Sequence, residues 1–455
     1  MEMKFQPDYE KLHLWEQYAQ QLDIEYEQSL EEGKDIEQYR KLFESVQAMP
    51  LDEKKVRMAD ILFEIVMQAP QREGYAYVEP SDLEGIKRCR PASEPVRGEV
   101  KKEELRDKLL GAWVGRICGC LLGKPVEGIR TEALLPLLKR SGNYPMERYI
   151  RSTDIWPELK EQYSFYQEAE TRRCYGDQVS YMPYDDDTNY VVLALKVIEK
   201  YGKNFTPFDM SQEWMALQPK VAYCTAERVA FCNFVNGLTP PESALYHNPY
   251  REWIGAQIRG DYFGYINPGN PEFAAELAWR DASISHVKNG IYGEMMVAAM
   301  LASAAVTEDI EAIIRSGIAQ IPEKSRLYES VQKVLDWYAC GVGQEECFAR
   351  IHQEWDEHTD HGWCHTISNA MIVVAALLYG NGDYGKSIGM AVQTGFDTDC
   401  NGATVGSVLG MRNGISGISE EWSAPIQGTL ETTIFGMGKV SIEEMVDITM
   451  KHVGL

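Results

Sequence analysis

Two glycine ladders constrain this chain more than any other feature. Gly111, Gly115, Gly119 and Gly123 recur every four residues, and so do Gly402, Gly406, Gly410 and Gly414. A glycine inside a helix costs ~1 kcal/mol against alanine. Two ladders cost on the order of several kcal/mol by the same measure, and something must offset it. The usual compensation is the close approach of a backbone or a ligand to the bare side. In a membrane such spacing drives helix pairing, but the flanking apolar runs are short and contain Arg116 and Arg412. The ladders therefore predict two helices of a globular domain crossing at short interaxial distance, with a substrate pocket near their N-terminal ends. Gly414 also suits a helix C-cap.

The rest of the chain reads helix after helix. Asn189 to Lys200, Glu294 to Ala305, Ile367 to Tyr379 and Ile442 to His452 all carry helical spacing, without a strand–helix–strand rhythm. The fold class expected is all-α. Asn143 to Tyr184 and Pro240 to Pro271 lack a clear period and are rich in aromatic and turn residues. Both read as long ordered loops near a site. Residues 1–95 read as an acidic helical extension. There Leu12, Trp15, Tyr18, Leu22 and Tyr26 step by three and four, and Met58, Ile61, Leu62, Ile65 and Val66 repeat the pattern. KRCRPASEPVRGEVKKEE (residues 87–104) reads as a linker, and residues 96–455 as the main domain.

Net charge is −24. That repels nucleic acid and anionic membrane, so neither is an expected partner. The ten cysteines form no disulfide framework, no signal-peptide pattern opens the chain, and the longest apolar run, Ala370 to Tyr379, is too short to span a bilayer. A cytoplasmic protein with reduced thiols is expected.

Chemistry concentrates in two acidic clusters, each directly before a helix. The first is Asp185-Asp186-Asp187-Thr188; the second is Gly395-Phe396-Asp397-Thr398-Asp399-Cys400-Asn401. One carboxylate at a helix N-terminus is ordinary capping. Three in succession exceed what a cap needs. If the clusters meet, five carboxylates share a small volume, and like charges about 4 Å apart repel by roughly 4 kcal/mol at an effective dielectric near 20. Protonation or bound cations must relieve this, and hard oxygen donors suit Mg²⁺, Ca²⁺ or Mn²⁺.

The motifs resemble those of the ADP-ribosylglycohydrolase family. Gly111 to Gly128 is similar to its opening G-x-x-x-G-D-x-x-G-x-P-x-E stretch, Asp185 to Thr188 to its T-D-D-T, and Gly395 to Ala403 to its G-G-D-T-D-T-N-A-A. Ser285-His286 resembles its middle S/T-H motif. The four motifs stand in the family's order from about Leu105 to the C-terminus. The resemblance implies an orthogonal all-α bundle, here with an added N-terminal helical lobe, and a cleft holding two divalent cations, Mg²⁺ with Mn²⁺ as the alternative. It points to Asp185, Asp186, Asp187, Asp397 and Asp399 as metal ligands. Glu127, Asp186 and Asp399 would be catalytic, and His286, Gly123, Gly128 and Gly395 would contact substrate. The substrate implied is a small molecule or a protein carrying ADP-ribose, cleaved at an N- or O-glycosidic bond.

Three residues depart from the pattern. Asp185 stands for threonine, Cys400 for threonine or serine, and Cys120 for aspartate. They leave room for another glycosyl substrate, for a module that binds ADP-ribose or a nucleotide sugar without cleaving it, or for a scaffold with a dead site. A separate rival is a zinc set of His358, His361, Cys364 and His365.

Overall fold

The computed structural model describes residues 8–162 and 174–454. Among these residues it contains 23 α-helices and one sheet, the antiparallel pair Thr429–Glu431 and Lys439–Ser441. The fold is all-α. Residues 163–173 of the expected loop from Asn143 to Tyr184 lie outside the described residues.

Two glycine-bearing helices, Lys102–Gly123 and Thr398–Asn413, form the spine. An added Cβ on Gly111 would meet the Gly410 carbonyl at 2.3 Å. On Gly115 it would meet that of Gly406 at 2.2 Å, and on Gly119 that of Gly402 at 2.0 Å. The second ladder answers reciprocally, Gly402 against Gly119 and Gly410 against Gly111. Backbone therefore lies on backbone for more than three turns, which dispersion rewards and any side chain would forbid. Low residue numbers on one helix face high numbers on the other, so the pair runs antiparallel. This corrects the expectation of a pocket beside both N-termini. They lie at opposite ends of the pair, and it is the end of the first helix that meets the start of the second. Gly414 is also a C-cap, with φ 72° and its N–H bonded to the Gly410 carbonyl.

Lys288–Ala304 and Thr366–Gly380 carry almost wholly buried faces and fill the centre. Among the described residues one helical stretch, Lys102–Val126, is long and apolar enough to cross a membrane, and 94% of its most apolar 18 residues are buried inside the fold. Pro240 to Pro271 differs from a surface loop. From Asn248 to Asn267 nearly every residue is buried, and the segment carries Arg251, Glu252, Arg259 and Asp261 inward as partners for other buried charges.

Tyr18, Leu22, Tyr26, Phe43, Leu62 and Val66 build a small core of their own, apart from the main one. The expected single amphipathic helix over Leu12 to Tyr26 is instead three 3₁₀ turns, Tyr9–Lys11, Leu14–Glu16 and Tyr18–Gln20, followed by a helix over Leu22–Glu31. The apolar spacing of three and four serves consecutive tight turns as well as a helix, because eclipsed i, i+3 positions share a face in both. The linker is pinned along the main domain: the Val96 N–H donates to Ser316 Oγ, and the Gly98 N–H to the Gly269 carbonyl.

Candidate active site

The meeting of the two glycine helices decides where the acids go. The first helix ends at Gly123, whose bare α-carbon lies against the backbone of Thr398 and Asp399. Thr398 Oγ1 closes the junction by donating to the Gly123 carbonyl at 3.0 Å. Upstream, Gly395 (φ 83°) and Phe396 (φ 56°) are both left-handed, which turns the chain sharply so that Asp397 becomes the N-cap residue of the second helix. The Asp397 N–H is held by Asn369 Oδ1 at 3.1 Å.

The first cluster reaches the same place from another helix, Asp186–Tyr201. Asp185 caps it, accepting the Asp187 N–H at 3.0 Å. Arg116, on the first glycine helix, clamps Asp187: Nη2 reaches Oδ1 at 2.9 Å and Nε donates to the backbone carbonyl at 2.7 Å. The same guanidinium also holds Asp261 at 2.9 Å. Lys124, just past Gly123, forms an ion pair with Asp185. The two clusters are thereby brought together: donor atoms of Cys120, Asp185, Asp187 and Asp399 all lie within 4.8 Å of one another, and so do those of Asp397, Asp399 and Cys400. Asp185, Asp397, Asp399 and Cys400 face a cleft of about 240 Å³ that is also lined by Glu127, Asp186, Cys224, Glu227, Trp363 and Cys364.

The electrostatics follow from crowding. Burial first, then the charges of Asp185 and Asp399, raise the Asp186 carboxyl to about 8. Burial and Asp185 raise Asp399 to about 6. Burial, with neighbouring carboxylates adding to it, also pushes Asp187, Asp397 and Glu127 up. Asp185 goes the other way: burial, the largest single effect, opposes its ionisation, but the Lys124 ammonium together with hydrogen bonds from Lys124, the Asp187 N–H and Cys120 outweighs it. Asp187 Oδ2 and Asp399 Oδ1 are buried without a hydrogen-bond partner. Orphaned oxygens beside mutually repelling carboxyls are what an oxygen-seeking cation would satisfy, so these residues fit a divalent metal.

A family model described as ADP-ribosylglycohydrolase matches residues 101–452. This chain belongs to the ADP-ribosylglycohydrolase family. A solved structure described as an "ADP-ribosylglycohydrolase-related protein complex" is similar at 19% identity and a TM-score of 0.48, covering 77% of this chain and 99% of that one. No curated protein matches.

As a member of this family the chain is a glycoside hydrolase. Of the residues expected at its site, Asp185, Asp186, Asp397, Asp399 and Glu127 line the cleft, and Asp187 lies just beneath. The four residues expected to contact substrate are not among those lining this cleft. His286 is buried against Ser285 Oγ at 2.8 Å, near Arg259, and is not on the cleft wall. Gly123 serves helix packing. Gly128 (φ 77°) turns the chain after Glu127, and Gly395 turns it against Thr131 and Glu357. These glycines shape the backbone that presents the acids.

The zinc set does not assemble. His358 is exposed and bonded to Asp356, while Cys364 Sγ points at Asp397 Oδ2, 3.8 Å away. His361 and His365 do converge, with Glu31 of the N-terminal lobe between them at 3.1 and 3.6 Å. However, the Trp253 indole N–H donates to His361 Nδ1, and the Ile367 N–H donates to His365 Nδ1, each at 3.1 Å. Both rings therefore carry their protons on Nε2, toward the carboxylate, and offer it donors rather than offering a metal lone pairs.

The structure adds residues that sequence reasoning passed over. Lys124 and Arg116 are the cations inside the acidic centre. Glu227, Cys224 and Trp363 belong to the cleft wall, beside Cys364 of the expected zinc set, and Trp15 reaches it from the N-terminal lobe. Its ring lies under the Arg228 guanidinium at 5.4 Å, and neighbouring Glu16 pairs with Lys220 at 2.7 Å.

Proposed function

We propose that this chain hydrolyses a ribosyl N- or O-glycosidic bond, with ADP-ribosyl compounds as the leading substrate class, at a binuclear divalent-metal centre in this cleft. One observation carries the reading: acidic turns some two hundred residues apart converge on one pocket, with two buried oxygens left unpartnered. Asp185, Asp186, Asp187, Asp397 and Asp399 would hold the cations. When bound, such ions lower the pKa of coordinated water and fix a ribose diol.

The chain's own groups supply the rest. Asp186 opens to the cleft and Glu127 stands on the same wall. Glu127 is placed to hold the attacking water, and burial first, then the Asp399 charge, raises its carboxyl, so that it can carry a proton at the cleft wall. Trp15 and Trp363 give the mouth flat apolar walls suited to a sugar ring or a base. Lys124 keeps Asp185 ionised and oriented. The centre favours a small ligand, or the modified side chain of a protein, as substrate.

The test is release of free ADP-ribose from ADP-ribosylated peptides, and of ribose from simpler ribosides, by the full chain with Mg²⁺ or Mn²⁺. Chelator should abolish turnover. Retention of intact ADP-ribose without cleavage would replace the hydrolase reading with a binding module.

A further inference from the structure

We propose that the acidic centre is built for a thiophilic divalent cation, zinc foremost, with Cys120 and Cys400 supplying sulfur ligands alongside the aspartates. The inference rests on reading this cleft as a metal centre, and goes beyond it by assigning the class of ion.

The geometry is mixed sulfur and oxygen on both sides. Cys120 Sγ stands within 4.8 Å of ligand oxygens from Asp185, Asp187 and Asp399, and Cys400 Sγ within the same distance of Asp397 and Asp399. Donors of one ion with bonds of about 2.0–2.3 Å lie roughly 3–4.5 Å apart, so the spread suits shared coordination. Both thiols are buried, Cys120 fully and Cys400 to 5% exposure. The unpartnered Asp187 Oδ2 and Asp399 Oδ1 belong to side chains that are themselves almost wholly buried. These oxygens mark the volume as one awaiting a ligand, independently of the cysteines. The softness does not stop at two thiols, since Cys224 and Cys364 also line the cleft, Cys364 facing Asp397.

Magnesium prefers six hard oxygens at near-ideal octahedral geometry and gains little from sulfur. Zinc accepts thiolate and carboxylate together in lower coordination. Ligation is balanced simply: each S–H bond breaks as an S–metal bond forms, and the proton leaves to solvent.

The experiment strips the full chain with chelator, reloads it with Co²⁺ and reads electronic absorption. It is paired with equilibrium dialysis of Zn²⁺ against excess Mg²⁺. Expected is a sulfur-to-cobalt charge-transfer band that falls in Cys120→Ser and Cys400→Ser while cobalt stoichiometry is retained. The preference for zinc over magnesium should drop by about tenfold or more in those variants. Two ions bound per chain with no such band in the unaltered protein, or equal retention of zinc and magnesium, would overturn the inference while leaving the metal centre standing. Binding of no divalent ion at all would overturn both. Should the serine variants fail to fold, the band of the unaltered protein decides alone.

Discussion

Asp186 and Asp187 are chain neighbours with different surroundings. Asp187 is fully buried and tied to Arg116, whereas Asp186 opens to the cleft and is raised to about 8. The difference is one helical position, 100° of rotation at the first turn of a helix. Replacing Asp186 or Asp397 with asparagine should cost at least about a hundredfold in activity by analogy with other metal-site losses. Near neutral pH the metal-free protein should melt no lower than the unaltered one, because these raised carboxyls already hold their protons and asparagine is their neutral isostere. Activity assays beside calorimetry check both outcomes. The pH dependence has a definite sign. Asp399 and Asp186 bind their protons more tightly folded than unfolded, with folded values of about 6 and about 8. Between about pH 4, near the unfolded carboxyl value, and pH 8 the unfolded chain holds fewer protons, so stability falls as pH rises. Melting temperature of the chelated protein should decline across that window, and a divalent ion should flatten the decline. A melting temperature that rose with pH in the chelated protein would contradict the assignment.

At the scale of elements, the glycine helices set competing effects against each other. Alanine in place of Gly115 gains ~1 kcal/mol of helix propensity. Its Cβ would meet the Gly406 carbonyl at 2.2 Å, and that atom is backbone, so it cannot swing aside. Overpacking of this kind costs typically 1–3 kcal/mol and outweighs the propensity. Gly115→Ala and Gly406→Ala should each lower the melting temperature by several degrees and reduce activity, because Asp399 rides on the displaced helix. Gly343→Ala is the control. Its φ is −71° and open space surrounds it, so the ~0.4–1 kcal/mol gained from a stiffer unfolded chain offsets the weaker N-cap and stability should barely change. Denaturant unfolding of the three variants separates the cases. The ladders were readable as a close helix pair from spacing alone. Their direction was not, because a period of four reads the same both ways. Only the pairing of Gly111 with Gly410 and Gly119 with Gly402 places the acids at one end.

At the scale of the molecule, the N-terminal lobe is locked to the main domain by buried charge. Arg251 is fully buried between Glu25 and Glu32 at 2.9 and 2.6 Å, and Lys288 reaches Glu32 at 2.7 Å. Gln28 donates to Glu252 at 2.6 Å, and Arg326 spans Glu79 and Glu252. Removing one member of such a set strands its partners. Arg251→Ala should therefore destabilise the protein by about 3–5 kcal/mol. Lobe and domain should unfold in one transition, observed by calorimetry and by fluorescence of the lobe's Trp15. Two separate transitions would show that the interface is weaker than its ion pairs suggest. The lobe also reaches the cleft, so Trp15→Ala should raise KM for ribosyl substrates more than it lowers kcat, since Trp15 walls the mouth and stands apart from the carboxylates.

Local rules operate over a few residues, and so they were legible in the chain: helical periodicity, the acidic turns at two helix starts, the glycine spacing and the cysteines at positions 120 and 400. The all-α class and the family's motif order followed from them. What the linear order could not carry is which distant groups share a dielectric environment. Arg116 neutralising Asp187, Lys124 holding Asp185, Glu31 seated between two histidines, and Trp15 at the cleft all join residues by folding alone. Coulombic and desolvation energies depend on distance in space and exclusion of water, so only the tertiary structure could determine the charge balance of the centre.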